Sequence, residues 1–536
     1  MNSFAGTGEM LRLAVRRDRV RGTAWVLFLL LLVVGVAAQY AGLFPDDRAR
    51  LDFAAEVRAN SALNAFTGLL HGTGLGNLVM WKIGDIAFTL IALMAVLTVV
   101  RHTRAEEETG RSELVGAGVV GRFAPLTAAL VHTCGLSLAA GVLSAAGLIA
   151  YGLEADGSIT FGLALVMPGI FFAAVAALAA QLTERARTAN AIACTVLGAG
   201  YLIRFVADGA GLGGLRWLSP SGWSHLAVPY GGNRVWVLAV PVLLSALVAT
   251  AAYRLADRRD LGAGVLSART GPAAAGRGLR GPVGLAWRLH RTQLLGWIAG
   301  FTAFSAATAG VATGMPEVAE RSGQYVQEFF RRYTVAPGVG IADTFIWLIL
   351  LSLGYLAALY PMLAALRLRT EETSGRAEAT LATSVGRTRW AVSHLVFAAC
   401  GSVLLPAASG LAAGGVHAAA TGDPAQLPRV LAAALVQVPA VWLVGAVAVI
   451  AFGAVPRLAV AIAWVVFMLV MVLGEVIGPI LGIDYWLANL VIPFHHVPKL
   501  LTGGTFSATP LLVMTALAVA LTAAGLAALR RRDLSS

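Results

Sequence analysis

Long runs of apolar residues dominate the chain, and polar residues are largely confined to short segments between them. Residues 24–43 and 83–100 are typical runs. A helix needs about 20 predominantly apolar residues to cross the hydrocarbon of a bilayer, and it satisfies its backbone hydrogen bonds internally. The pattern therefore predicts an all-α polytopic membrane protein.

About twelve transmembrane helices are predicted, six on each side of a break rich in arginine, glycine and alanine, a composition typical of flexible linkers. The predicted domains are a first six-span half at residues 1–256, a linker and elbow region at 257–292, and a second six-span half at 293–536. The spans are predicted near residues 24–43, 79–100, 121–151, 160–181, 189–208, 234–256, 293–313, 343–364, 389–417, 428–452, 458–481 and 508–529.

Composition and charge agree with this interpretation. Only 13% of the residues are charged, about half the fraction typical of soluble domains. The formal net charge is +12, but the arginines lie between apolar runs, which is the positive-inside pattern, so we expect no nucleic-acid partner. The pattern predicts a multi-pass protein with both termini in the cytoplasm. Abundant alanine, glycine and arginine with only two lysines suggest a bacterial genome, and hence a bacterial plasma membrane. The basic N-terminus also fits a signal peptide, but its run leads into many further spans and favours an uncleaved anchor.

A charged segment occurs once in each half. Residues 104–122 read RAEEETGRSELVGAGVVGR, and residues 369–387 read RTEETSGRAEATLATSVGR. Because each half has an even number of predicted spans, the halves insert the same way round, as parallel repeats. The corresponding pairs are Glu106 with Glu371, Glu107 with Glu372, Arg111 with Arg376, Glu113 with Glu378, and Arg122 with Arg387.

Each repeated segment lies in the predicted cytoplasmic loop between the second and third spans of its half. Adjacent glutamates followed by arginine and a further glutamate predict a short helix with a charged face. One interpretation is a solvated loop. The other is a docking helix whose carboxylates bind basic residues of a partner through charge-assisted hydrogen bonds. Recurrence of the same acidic residues at the same spacing favours docking.

The two six-span halves, the Glu-Glu-x-[Ser/Thr]-Gly-Arg-x-Glu loops and the basic segments before each half resemble the type-two ABC exporter permeases. More narrowly, they resemble the fused twelve-span permeases of polyketide-antibiotic exporters, the tetronasin-resistance group. The resemblance covers essentially the whole chain. It implies that each loop is a coupling helix on one of two nucleotide-binding ATPase subunits, which carry the ATP and Mg²⁺. It also implies elbow helices at residues 10–23 and 285–296, and short re-entrant helices before the last span of each half.

No P-loop is present, because that motif needs a lysine after its second glycine. The two lysines, Lys82 and Lys499, lie in Trp-Lys-Ile and Pro-Lys-Leu. We therefore expect no ATPase activity and no cofactor in this chain, and energy must come from a partner or from an ion gradient. The expected substrate is a hydrophobic or amphipathic small molecule; the resemblance implies polyketide-type antibiotics or several drugs.

An ion-gradient-driven drug transporter is the second hypothesis, because many secondary transporters also have two parallel six-span halves and carry intramembrane carboxylates. Two pairings of Arg204 remain open: with Glu475 at the equivalent position of the second half, or with Asp208 one helical turn away. The loop after the second span lacks the motif of the major facilitators, which favours the ABC permease. The intramembrane polar candidates are Lys82, Asp85, Arg204, Asp208 and Glu475.

A membrane-embedded enzyme is the third hypothesis, and the sequence gives it little support. The nine histidines are scattered along the chain. The three cysteines, Cys134, Cys194 and Cys400, lie inside apolar runs, too few and too apolar in context for a disulfide framework or a thiolate metal site. No catalytic residue and no metal ligand are therefore predicted.

Overall fold

The computed structural model describes residues 2–59, 61–111, 120–260, 262–266, 276–279, 281–312, 333–474 and 492–532. These residues form α-helices and short 3₁₀ turns, with no strand among them. The predicted all-α class is confirmed. The described residues divide into two compact units near position 270, inside the predicted linker.

The first unit begins with the longest helix of the structure and contains five further long helices, with short ones between them. Its helices are α1 (Thr7–Leu43), α2 (Asp47–Ala59), α3 (Ser61–Thr67), α4 (Leu75–His102), α5 (Arg104–Glu108), α6 (Ala124–Ala150), α7 (Ala155–Leu182), α8 (Ala186–Gly209), α9 (Pro220–Leu226) and α10 (Ala239–Arg258).

The second unit has the same succession of long helices, two of which are interrupted. Its helices are α11 (Pro282–Ala312), α12 (Ile341–Ala357), α13 (Leu359–Thr373), α14 (Arg376–Leu381), α15 (Arg387–Thr421), α16 (Gln426–Leu435), α17 (Val438–Ala454), α18 (Ala459–Leu473) and α19 (Ala508–Arg531).

Eleven stretches among the described residues are helical, long and apolar enough to cross a membrane, and they coincide with eleven of the predicted spans. The protein is therefore an all-α polytopic membrane protein. For the remaining prediction, residues 458–481, the apolar helix α18 covers Ala459–Leu473. Residues 475–491 lie outside the described residues, and so does the candidate Glu475.

Two prolines account for the interruptions in the second unit. Helix α12 ends at Ala357, four residues before Pro361, and α16 ends at Leu435, four residues before Pro439. Proline has no N–H to donate to the carbonyl four residues earlier, and its ring clashes with that carbonyl, so the helix breaks there.

The elbow segments do not form separate helices. Residues 10–23 belong to α1, and residues 285–296 belong to α11, without interruption. Neither segment contains a proline, so nothing in its sequence stops the helix before the apolar run. Short helical segments precede the last span in both units: α9 in the first, and 3₁₀ turns at Pro493–His496 and Leu500–Thr502 in the second. That they re-enter the membrane stays a prediction.

Close helix contacts in each unit depend on small residues. In the first unit α6 lies directly against α7, where a Cβ on Gly141 would be 2.6 Å from the carbonyl oxygen of Gly162. In the second unit a Cβ on Gly453 of α17 would be 2.1 Å from the carbonyl oxygen of Gly525 of α19. Glycine at such positions lets two helix backbones approach closely, which is typical of membrane proteins.

Candidate functional site

The two Glu-Glu loops share one local geometry around a glycine. Gly110 has φ 72° and Gly375 has φ 71°, and glycine adopts this left-handed conformation without steric cost. Each glycine N–H donates to the carbonyl oxygen of the second glutamate, Glu107 or Glu372, at 3.0 Å. The Gly-Arg element of the motif is therefore the turn that ends the acidic helix in both units.

An arginine that directly follows the last helix of the unit binds the second glutamate. Arg259 follows α10, and its Nη2 and Nη1 donate to Glu107 Oε1 and Oε2 at 2.6 and 2.8 Å. Arg532 follows α19, and its Nη1 and Nη2 donate to Glu372 Oε1 and Oε2, both at 2.7 Å. Both contacts are bidentate, the strongest form of this pairing. The glutamate side chains are 12% and 3% exposed.

The Gly-Arg pair at the end of the repeated segment binds the same helix terminus. Arg122 Nη2 donates to the carbonyl oxygen of Arg259 at 2.6 Å, and Arg387 Nη1 donates to that of Arg532 at 2.5 Å. The last carbonyls of a helix have no partner within the helix, so these arginines satisfy them. We call the two sets of contacts the loop clamps: Glu107, Arg122 and Arg259 in the first unit, and Glu372, Arg387 and Arg532 in the second.

The first glutamate of each loop also has partners within the chain. Glu106 Oε1 lies 2.9 Å from Arg17 of α1 and 3.7 Å from Arg111. Glu371 lies 3.5 Å from Arg367 and 3.6 Å from Arg376. Arg111 and Arg376 occupy equivalent positions and are largely exposed, at 59% and 63% of their side chains.

The structure therefore differs from the predicted docking helix, in which the glutamates faced a partner. The carboxylates of Glu106, Glu107, Glu371 and Glu372 are engaged within the chain. Exposed charges among the described residues of the repeated motif include those of Glu108, Arg111, Arg376 and Glu378. Glu113 lies outside the described residues. Coupling to an ATPase remains a prediction.

Sequence reasoning missed Arg259 and Arg532 because they are distant along the chain from the glutamates that they bind. Arg259 is 152 residues from Glu107, and Arg532 is 160 residues from Glu372. The sequence signal that could have identified them is their equivalent position, directly after the last apolar run of each half.

Arg204 is fully buried in a second charged cluster, which brings together three of the intramembrane candidates. Its Nη2 donates to Asp85 Oδ2 at 3.1 Å, and its Nη1 donates to Asp208 Oδ2 at 3.0 Å. The other oxygen of Asp208 pairs with Arg216, so two arginines balance two aspartates. Of the two alternatives, the pairing with Asp208 one turn away is present. The described residues do not test a pairing of Arg204 with Glu475.

Lys82, the remaining candidate, is half-buried on α4 and forms no ion pair with any residue that the structure describes. The acidic groups of the described part of this cluster are thus held by Arg204 and Arg216, and Lys82 does not contribute to it.

A cavity of about 470 Å³ lies in the first unit beside the loop clamp. Its wall combines the apolar side chains of Leu13 and Leu126 with the charged side chains of Arg17 and Arg259. His102 also reaches this cavity.

Each unit consists of long apolar helices and a charged loop held against its last helix. This arrangement is that of a multi-pass membrane protein. The family model of the multidrug efflux system permease Rv1217c, C-terminal domain, matches residues 279–530. The multidrug efflux system permease protein Rv1217c of Mycobacterium tuberculosis (strain ATCC 25618 / H37Rv) is 42% identical over 539 residues, which cover 99% of this chain and 96% of that protein. The chain belongs to the family of that permease.

Proposed function

We propose that this chain is the membrane-spanning subunit of an ATP-driven multidrug exporter, with ATP hydrolysed by separate nucleotide-binding subunits. The family relationship supports a role as a drug-efflux permease, since the full-length relative is named as one. The sequence contains no P-loop, so in this proposal the ATPase is a separate partner.

The recurrence of the loop clamp in both units is the observation that carries the proposal. An exposed loop with no docking role would need no bidentate arginine on its glutamate and no second arginine on the adjoining helix end. The clamp joins the loop after the second span to the end of the last span of the same unit. Force applied to the loop is thereby transmitted to a membrane-spanning helix.

Each loop contacts one copy of the ATPase, so the complex contains one permease and two ATPase subunits. The exposed Arg111, Arg376 and Glu378 make these contacts, while Glu107 and Glu372 maintain the shape of the loop. This assignment revises the expectation that the adjacent glutamates themselves bind the partner.

The ion-gradient alternative is less well supported by the described residues. A proton or sodium relay needs carboxylates that gain and lose a cation during transport. Asp85 and Asp208 are instead held by Arg204 and Arg216 in buried ion pairs. The proposed substrates are hydrophobic or amphipathic compounds, polyketide-type antibiotics among them, which reach the protein from the lipid of a bacterial plasma membrane.

The orientation of the chain gives a labelling experiment. In a variant without Cys134, Cys194 and Cys400, we expect single cysteines at Thr109 and Ser374 to resist an impermeant thiol reagent in intact cells, because both loops face the cytoplasm. The matched control is Arg48→Cys on α2, which follows the opposite end of α1 and is exposed. It should react from outside. Reaction of Thr109→Cys or Ser374→Cys from outside would reverse the orientation.

Docking on the ATPase gives a second experiment. We expect the variant Arg111→Ala with Arg376→Ala and Glu378→Ala to retain about a tenth or less of the ATPase that copurifies with the tagged permease. Charge-assisted hydrogen bonds contribute about 1.5–3 kcal/mol each, and 1.4 kcal/mol is a tenfold change in affinity. Exposed side chains add little to folding stability, so the variant should insert and remain monodisperse.

The control for docking is Arg48→Ala, also an exposed arginine, at the other end of α1. Drug accumulation is measured in parallel in cells depleted of ATP with the proton gradient preserved. Full export under those conditions would favour the ion-gradient transporter. Unchanged copurification of the ATPase with the triple variant would exclude these three residues as the docking contacts.

A further inference from the structure

Three polar side chains from three helices of the first unit meet in the interior near the loop clamp. They are Asp18 of α1, His102 of α4 and His132 of α6, which are 3%, 8% and 7% exposed. His102 Nε2 lies 2.6 Å from Asp18 Oδ2, and His132 Nε2 lies 3.5 Å from the same oxygen. One potential ligand atom from each residue falls within 4.8 Å of the other two.

The hydrogen bonds around Asp18 do not account for the position of His132 Nε2. It is buried and lies 3.5 Å from Asp18 Oδ2, a long contact that does not meet the geometry of a hydrogen bond. A buried nitrogen with so weak a contact costs folding free energy. A cation between the two imidazoles and the carboxylate would satisfy it.

We propose that Asp18, His102 and His132 bind one divalent first-row transition ion, with Zn²⁺ as the best fit. Two imidazole nitrogens and one carboxylate oxygen are a ligand set of zinc sites that keep a fourth position for water. Metal–ligand distances of about 2.0–2.2 Å place tetrahedral ligand atoms ~3.3–3.5 Å apart. The atoms of His132 and Asp18 already have this separation, and the His102 contact has to lengthen by less than about 1 Å.

The ion pair between Arg101 and Asp18 does not block the proposed metal site. Its Nη1 donates to Asp18 Oδ1 at 2.5 Å, so Oδ2 is the oxygen that faces both imidazoles. A ligating carboxylate commonly has its other oxygen hydrogen-bonded in this way. The arginine charge lowers the affinity for a cation. The cavity that His102 reaches provides an entry path.

The bound ion would join α1, α4 and α6 at the end where the loop begins. Asp18 is next to Arg17, which pairs with Glu106 of the loop. Metal binding would therefore restrain α1 relative to the Glu-Glu loop. The inference rests on the side chains alone and does not depend on the proposed function.

The second unit contains a matched control. There His290 Nε2 lies 3.0 Å from His394 Nδ1, also between the first and third long helices of the unit, and no described carboxylate completes a ligand set with them. We therefore expect one ion per chain.

The test uses the purified full-length chain in detergent, first freed of metal with a chelator and then equilibrated with Zn²⁺. We expect one Zn²⁺ per chain, a Zn²⁺-dependent rise in the thermal unfolding temperature, and visible ligand-field absorption with Co²⁺. Mg²⁺ and Ca²⁺, which prefer oxygen ligands, should have no such effect.

His132→Ala should lower the affinity at least about 100-fold, because even outer-shell changes cost 10–100-fold. This variant should fold without metal, since the replaced Nε2 makes only a long contact with Asp18. His394→Ala should bind one ion as the parent does. Absence of stoichiometric binding to the parent, or equal binding by the folded His132→Ala variant, would overturn the proposal.

Discussion

Replacing Arg204 by alanine is expected to destabilise the protein by at least about 3–5 kcal/mol, the usual cost of removing one partner of a buried ion pair. Arg204 is fully buried, and the substitution leaves two carboxylates, Asp85 and Asp208, without their shared cation. The guanidinium also donates to the carbonyl oxygen of Phe66 at 3.1 Å, a contact that a lysine cannot make together with the other two. Arg204→Lys should therefore recover only part of the loss.

Denaturant unfolding of the purified protein in micelles measures this effect. The triple variant Arg204→Ala, Asp85→Asn, Asp208→Asn removes the unbalanced charges and should be more stable than Arg204→Ala alone. If the single and triple variants unfolded at the same denaturant concentration, the unpaired carboxylates would not be the cause of the destabilisation. Additive effects of Arg204→Ala and Asp208→Ala would exclude direct coupling between that pair.

Removing Arg532 is expected to destabilise the second unit by about 3–5 kcal/mol, because its bidentate partner Glu372 would remain buried and charged. The equivalent change Arg259→Ala should cost less. Glu107 would keep its contact with Arg104 Nη1 at 2.8 Å and is the more exposed of the two glutamates. Arg532→Ala should therefore be the more destabilising of the two substitutions, because Glu107 has a second arginine partner.

Arg259 and Arg532 each have an exposed arginine immediately before them as a matched control. Arg531→Ala and Arg258→Ala should change the free energy of unfolding by no more than about 0.5 kcal/mol, as is usual for surface substitutions. Double-mutant cycles between Arg532 and Glu372, and between Arg259 and Glu107, isolate the pair energies. Equal unfolding of Arg531→Ala and Arg532→Ala would contradict the clamp.

The membrane-spanning helices could be predicted from sequence because a single local requirement, a long apolar run, defines them. The predicted span at residues 160–181 and the helix Ala155–Leu182 show how closely the two agree. The elbow at residues 10–23 was predicted as a separate helix by resemblance, and the continuous α1 shows that this was wrong. The prediction failed because no residue in that segment interrupts the helical hydrogen bonds.

The candidate site could be predicted only in part. The repeated glutamates marked the loop, but their partners Arg259 and Arg532 are more than a hundred residues away, and no local pattern indicates such a pairing. The contact of Arg204 with Asp208 followed from helical spacing, whereas that with Asp85 depends on the packing of α4 against α8. His102 and His132 lie on separate helices, so their meeting with Asp18 was not visible either.

Every residue of each loop clamp belongs to its own half of the chain. A gene encoding one half would therefore have specified a complete clamp before any duplication and fusion, and the join between the halves required no new clamp contact. After such a fusion the two copies would have been free to diverge. The described halves differ in the extra Arg104 contact and the Asp18 cluster of one and in the histidine pair His290 and His394 of the other.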